Sequence, residues 1–228
     1  MNISGLEKLS LSDYPGMVAC VIFTQGCNFK CDYCHNSSLI SFDKECLNEA
    51  RIFEFLEKRK KILDGVVISG GEALLQKNIK EFIKKIKKMG YKIKLDTNGS
   101  YNNKLKELID EGLVDYVAMD IKHDKNHYSF ITGFDKYGYD SIEASIKLLE
   151  SSKIDYEFRT TIVKEYHDLN AIENICKLIN KKSKYYLQNF ASSPNVLNKN
   201  ITGFSKEELK NIENKLKIKY SNVFIRGI

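Results

Sequence analysis

The 228 residues suit one domain of ordinary to large size, and 43% apolar with 29% charged residues is the balance of a globular chain that needs no disulfide staples. The net charge of +6 is a modest, dispersed excess, and no apolar run approaches the ~20 residues of a membrane span. Membrane insertion and nucleic-acid tracking are not expected, and an N-terminal stretch (MNISGLEKLSLSDYPG) without the apolar run of a signal peptide leads us to expect the reducing cytoplasm.

In chain order, the first β-rich run is MVACVIFT (17–24). Directly after it, TQGCNFKCDYCHN places Cys27, Cys31 and Cys34 at C-x3-C-x2-C spacing. A helical pattern over 48–61 leads to the strand GVVIS (65–69) and then to Gly70-Gly71-Glu72. The next helix, 78–89, sets Ile79, Phe82, Ile83, Ile86 and Met89 on one face. Its lysines form the wet face of an amphipathic helix, without the Arg or aromatic interleaving of a nucleic-acid surface. KIKLDT (92–97) runs into Asn98 and Gly99, and DYVAMDIK (115–122) carries Asp120 and Lys122, with a helix at 103–111 between them. Gly90 and Gly112 sit where helices end and the chain must turn. A helix over 140–151, capped by Asp140 or Ser141, precedes YEFRTTIV (156–163), which carries Arg159. A helix over 168–180, the strand KYYLQNF (184–190) with Gln188 and Asn189, and a helix over 205–217 follow. The last helix has a capping box, Ser205 with Glu208, and the terminal NVFIRGI is expected to add a short edge strand.

Strands alternating with helices imply βαβ units and a parallel sheet. Six such units with no break in composition predict an α/β fold of the (βα)6 partial, open TIM-like barrel type, as a single domain over 1–228. A doubly wound open sheet is the competing architecture, and periodicity does not choose between them.

Three thiolates within eight residues on a loop converge on one point, and thiolate donors select zinc, Cu(I) or an iron–sulfur cluster. Structural zinc wants four protein ligands in a closed tetrahedron, and His35, adjacent to Cys34, is badly placed to be the fourth. Three thiolates on a four-iron cluster leave one iron open, as a catalytic cluster needs. Cys20 and Cys176 read as small buried residues and Cys46 as a lone loop residue, so no second cluster is expected. Polar residues gather where the strands finish, which is where sites lie in parallel α/β folds. Paired glycines let backbone approach a ligand. Carboxylates at buried strand ends, Asp96 and Asp120, are costly unless paired or coordinated.

With its YCHN flank, the thiol loop resembles the cluster-binding signature of the radical S-adenosylmethionine (SAM) superfamily. The resemblance implies a [4Fe–4S] cluster on Cys27, Cys31 and Cys34, SAM on its fourth iron, and reductive cleavage of SAM to methionine and a 5′-deoxyadenosyl radical. It implies that Tyr33 lies against the adenine and that Gly70, Gly71 and Glu72 contact the SAM amino group. Ala73, where the commoner motif has Pro, is similar to the pyruvate formate-lyase activating enzymes. LDTNG and MDIK are similar to glycyl-radical activating enzymes in general. By that likeness Asp96, Thr97 and Asp120 lie beside the SAM carboxylate around a monovalent cation, Asn98 belongs to the SAM-binding set, and Lys122 and Arg159 hold SAM. Gln188 and Asn189 are candidates for the substrate side.

The runs LSDYPG, VIFTQGCNFKCDYCHN, LDGVVISGGE, KLDTNGS, DYVAMDIKH, YEFRTTIV and YYLQNF most resemble the longer form of the anaerobic ribonucleoside-triphosphate reductase activating proteins. This implies hydrogen abstraction from a glycine of a partner reductase, with a flavodoxin- or ferredoxin-type electron donor. Activation of another glycyl-radical enzyme such as pyruvate formate-lyase, a small-molecule radical SAM reaction, and a non-catalytic zinc or iron–sulfur module are the alternatives.

Overall fold

In the computed structural model, which describes residues 1–133 and 138–226, the strand–helix rhythm folds into one eight-stranded sheet. In chain order the elements are β1 (Ile3–Ser10), β2 (Ala19–Thr24), α1 (Glu49–Arg59), β3 (Gly65–Gly70), α2 (Ile79–Lys88), β4 (Lys92–Thr97), α3 (Asn102–Asp110) and β5 (Tyr116–Asp120). Then come α4 (Tyr128–Thr132), α5 (Gly138–Ser151), β6 (Asp155–Ile162), α6 (Leu169–Leu178), β7 (Tyr185–Asn189), α7 (Lys206–Lys217) and β8 (Val223–Arg226). No helix among the described residues is long and apolar enough to cross a membrane.

The sheet order is β1 to β8 without a break, antiparallel for β1–β2 and parallel for every later pair. A doubly wound sheet needs a reversal of strand order, and there is none. With right-handed crossovers, a strictly sequential order puts the connecting helices on one face and leaves the other face concave. This is the expected partial barrel of six βα units, with β8 as a further parallel strand. Its edges, β1 and β8, are not paired with each other.

Alternation along the strands separates the two faces. Cys20, Ile22, Val66, Ile68, Ile93, Leu95, Val117 and Met119 join the large core under the helices. Their neighbours Ala19, Val21, Val67, Tyr116 and Ala118 form a smaller cluster with Tyr14 on the concave side. Further along, the concave positions are polar: Lys94 and Asp96 on β4, Asp120 on β5, Glu157 and Arg159 on β6, Gln188 on β7. The lumen is thus apolar beneath β2, β3 and the start of β5, and polar along β4, the end of β5, β6 and β7.

Three readings need correction. The strand at residues 3–10 was not foreseen, so the thiol loop follows the second strand rather than the first. The five-residue α4 was also missed. The helix expected from residue 140 begins at Gly138, because Tyr139 packs edge-on against Tyr128 and draws the first turn inward, so neither Asp140 nor Ser141 is its cap. The capping box at Ser205 and Glu208 is present, with backbone-to-side-chain bonds of 3.2 and 2.8 Å. Of the expected strand NVFIRGI, Val223–Arg226 is β8, and the last two residues lie outside those described.

Candidate functional site

β2 ends at Thr24 and releases the thiol loop across the carboxyl ends of the parallel strands. Backbone bonds fix the loop from three sides: Cys27 N to Ile40 O (3.0 Å), Lys30 N to Thr132 O (2.7 Å) and Asn198 N to Asp32 O (3.0 Å). Asn28 is tied to Ser100 and Asn98 through side-chain bonds of 2.9 and 3.0 Å. Cys27, Cys31 and Cys34 line one cavity with Tyr33, Gly70, Gly71, Asp96, Thr97, Asn98, Asp120, Lys122, Arg159 and Gln188.

The two glycines after β3 are required by close approach. A Cβ on Gly70, whose φ is +124°, would stand 2.2 Å from Thr24 O, and one on Gly71 would stand 2.2 Å from Gly26 O. Without side chains the two loops zip together, Gly71 N donating to Thr24 O (2.9 Å) and Glu72 N to Gly26 O (2.8 Å). Glu72 itself is fully buried and is not part of the cavity wall. Its carboxylate accepts from Leu74 N (3.0 Å), the Thr97 hydroxyl (2.9 Å) and Asn98 N (2.7 Å). It therefore clamps the loop after β3 to the loop after β4, and burial pushes its pKa up to about 7 against those three bonds. Asn189 also stands outside the cavity wall, its side-chain amide bonded to the backbone of Phe204 in both directions (2.9 Å each).

A ladder of alternating charge crosses the cavity floor. Asp120 accepts from Arg159 Nε (2.8 Å) on one oxygen and from Lys122 Nζ (3.0 Å) on the other. Burial alone would raise the Asp120 carboxyl, but the Arg159 and Lys122 charges hold it well below the usual range. Asp96 accepts from the Ser69 hydroxyl (3.0 Å), is paired with Lys94, and lies 3.6 Å from Arg159 Nη1. Arg159 stands in register with Asp120 within β6 rather than at its end. Lys122 is held by its backbone: His167 Nε2 donates to Lys122 O (3.0 Å), while Val163 N donates to His167 Nδ1 (3.1 Å). Burial lowers the His167 pKa to about 4, which keeps that ring neutral. Thr161 in the cavity wall, and Lys94 and His167 behind it, are not singled out by the sequence. The alternation of KIKLDT places Lys94 on the polar face of its strand, but that face reads as solvent until the lumen is seen.

Three thiols on one cavity wall are a donor set that an iron–sulfur cluster fits. A single zinc ion about 2.3 Å from each thiolate needs its sulfurs within about 4 Å of one another. Among the described residues, His123, Asp124 and His127 form a group whose donor atoms lie within 4.8 Å of one another. The donor atoms of that His–Asp–His group already have protein partners: Asp124 N donates to His123 Nδ1 (2.8 Å), and His127 Nδ1 lies 2.8 Å from the Asp124 carboxylate. Burial pushes the Cys27 and Cys31 thiols up to about 12 and also raises Cys34, while Lys122 acts on all three in the opposite direction. Buried thiols of this kind need bound metal to persist as thiolates. In the same cavity the Tyr33 hydroxyl is buried without a hydrogen-bond partner, which leaves it free for an entering ligand. The remaining cysteines lie elsewhere, Cys20 and Cys176 buried in the core and Cys46 exposed.

Comparison with known proteins follows the same lines. The family profile of the Radical SAM superfamily matches residues 21–179. A Methanocaldococcus jannaschii protein named as a glycyl-radical enzyme activating enzyme is 35% identical over 192 residues, covering 82% of this chain and 79% of that one. The pyruvate formate-lyase-activating enzyme of Clostridium pasteurianum is 34% identical over 187 residues, 78% and 75% of the two chains. In fold, the chain resembles Streptococcus suis SuiB bound to S-adenosylmethionine, with a TM-score of 0.71 at 16% identity over 91% of this chain. It spans half (50%) of the length of that larger protein.

Proposed function

The chain belongs to the radical SAM superfamily, among its glycyl-radical enzyme activating enzymes, and on that footing we propose that it activates an anaerobic ribonucleoside-triphosphate reductase. Membership implies a [4Fe–4S] cluster and SAM as cofactors. The observation that carries the reading is the convergence, in one cavity, of three thiols and a floor of paired charges at the open end of a partial barrel. The sheet edges β1 and β8 do not meet, so a polypeptide loop has a lateral way in. A glycine offers only backbone, which suits a narrow entrance. The choice of the reductase over other glycyl-radical enzymes is supported by the runs LSDYPG, KLDTNGS and YYLQNF.

A bound [4Fe–4S] cluster would supply the single electron for reductive cleavage of SAM, and with it the means to remove a hydrogen atom from a glycine Cα. Cys27, Cys31 and Cys34 would hold the cluster, and the loop bonds with Ile40, Thr132 and Asn198 keep them in place. Gly70 and Gly71 open the backbone to SAM, and Tyr33 takes the adenine side. Asp96, Thr97, Asn98, Asp120, Lys122 and Arg159 form the polar floor for the amino acid end, with Arg159 and Lys122 anchored on Asp120. Gln188, across the cavity on β7, faces the substrate side. A flavodoxin- or ferredoxin-type protein delivers the electron.

Electron paramagnetic resonance tests the proposal on reduced, anaerobically reconstituted protein mixed with SAM and the reductase of the same organism. A glycine-centred signal on the reductase, absent with Cys31→Ala, is the expected result. Deoxyadenosine release without that signal would move the assignment to another glycyl-radical enzyme.

A further inference from the structure

Lys94 points into the lumen from β4, two residues before Asp96 and so on the same side of the strand. Its side chain is 2% exposed, a degree of burial that lysines almost never show without a partner. The ammonium is paired with Asp96 Oδ1 and lies 5.9 Å from the centre of the Tyr116 ring. Lys94 does not line the cavity above. It lines a separate cleft beneath, and Arg159 and Gln188 line both. Asp96 therefore stands between the cavity and an ammonium fixed behind it.

The side chains expected to cradle a soluble monovalent cation are already committed. Asp96 has Lys94, Ser69 and Arg159; Asp120 has Arg159 and Lys122; the Thr97 hydroxyl donates to Glu72 and accepts from Gly99 N. Two carboxylates thus face three cations supplied by the chain itself. A soluble cation would enter against that excess and would have to displace a tethered ammonium of the same charge, which has no translational freedom left to lose. The residues do not fit a soluble ion.

We propose that Lys94 is the built-in counter-cation of this site, holding Asp96 in place from behind, so that the chain binds SAM without potassium or sodium. The inference rests on the SAM-binding reading above, and it casts Lys94 as a positioning residue that acts through Asp96. The positive charge left over suits an incoming carboxylate.

The test compares the wild type with Lys94→Met, which keeps the stem and removes the charge, in potassium, ammonium or choline chloride at equal ionic strength. Two quantities are read: the melting temperature of the cluster-free protein, and the SAM dissociation constant of the reconstituted protein by calorimetry. In the wild type, both are expected to be the same in all three salts. In choline, Lys94→Met should melt about 5 °C lower or more and bind SAM at least about tenfold more weakly, with potassium or ammonium restoring both. Lys94→Met combined with Asp96→Asn should lose the response to potassium, since no charge is left to compensate. A wild type that needs potassium to bind SAM would overturn the proposal, as would a Lys94→Met protein indifferent to salt. If neither protein binds SAM in any salt while the melting of Lys94→Met alone responds to potassium, the counter-cation stands and the SAM reading falls. If Lys94→Met does not fold, Lys94→Gln in the same melting series decides by the same outcomes.

Discussion

Along β4, Ile93 and Leu95 enter the helix-covered core, while Lys94 and Asp96, one residue out of step, enter the lumen. The same division runs through β5 and β6: Val117, Met119 and Phe158 on one side, Asp120, Glu157 and Arg159 on the other. The outer face is held by apolar area, which is non-directional and tolerates repacking. From β4 to β6 the inner face is held by pairing, in which each charged group has a named partner and loss of one strands another. Tyr116 hydroxyl, Glu157 and Arg226 show it well, Glu157 accepting from the first at 2.9 Å and from the guanidinium at 2.9 and 3.1 Å. Stability is concentrated on one face of the sheet and chemistry on the other, with a single backbone serving both.

The largest effect on stability is expected from the outer face. Phe82 of α2 is buried against the sheet, and Phe82→Ala should cost about 3–5 kcal/mol, measured by urea unfolding. Iron bound per folded chain should stay the same. A loss of iron in the folded fraction would break the comparison, since the faces would then be energetically coupled.

Glu72, fully buried at the seam between the two loops, sharpens it. A carboxyl whose folded pKa of about 7 lies above its unfolded value of about 4.3 binds more protons folded than unfolded between those values. Its contribution is present below that window and is lost as pH rises through it, by about 4 kcal/mol. Urea midpoints taken from pH 4.5 to 7.5 should show this slope in the wild type, and Glu72→Gln should flatten it. The variant should also be weaker at pH 5 by about 1–3 kcal/mol, because an amide cannot accept all three bonds. An unchanged slope would remove Glu72 as its source.

The smallest effect is expected furthest from the cavity. Ser205→Ala removes the cap of α7 and should cost about 1 kcal/mol, a melting shift of roughly 2–4 °C. SAM affinity should not change, and a change would show that the C-terminal helix reaches the site.

Legibility in the sequence followed the same divide. Every helix with a continuous apolar stripe was found, because burial on one side imposes a period. The cysteine loop, Gly70-Gly71 and the strand-end carboxylates were also legible, because their chemistry is concentrated in adjacent residues. β1 was missed because its middle, from Ser4 to Leu9, is exposed or half-buried and its alternation is blurred by Gly5, Glu7 and Lys8. α4 is too short to show a period. The directions of Glu72 and Asn189, and the partner of Lys94, depend on which strands become neighbours, and a one-dimensional pattern does not carry that information. Asn98, by contrast, both lines the cavity and bonds Asn28, a contact across 70 positions.

The unbroken strand order also sets a sequence in time. Each strand pairs with the strand made just before it, so closing each gap spans one local connection and no strand waits for a distant segment. During synthesis, Cys27, Cys31 and Cys34 emerge with β2, well before β5 and β6 deliver Asp120, Lys122 and Arg159. The thiol loop is therefore a nascent loop open to solvent first and a buried one later, when Thr132 and Asn198 fasten it.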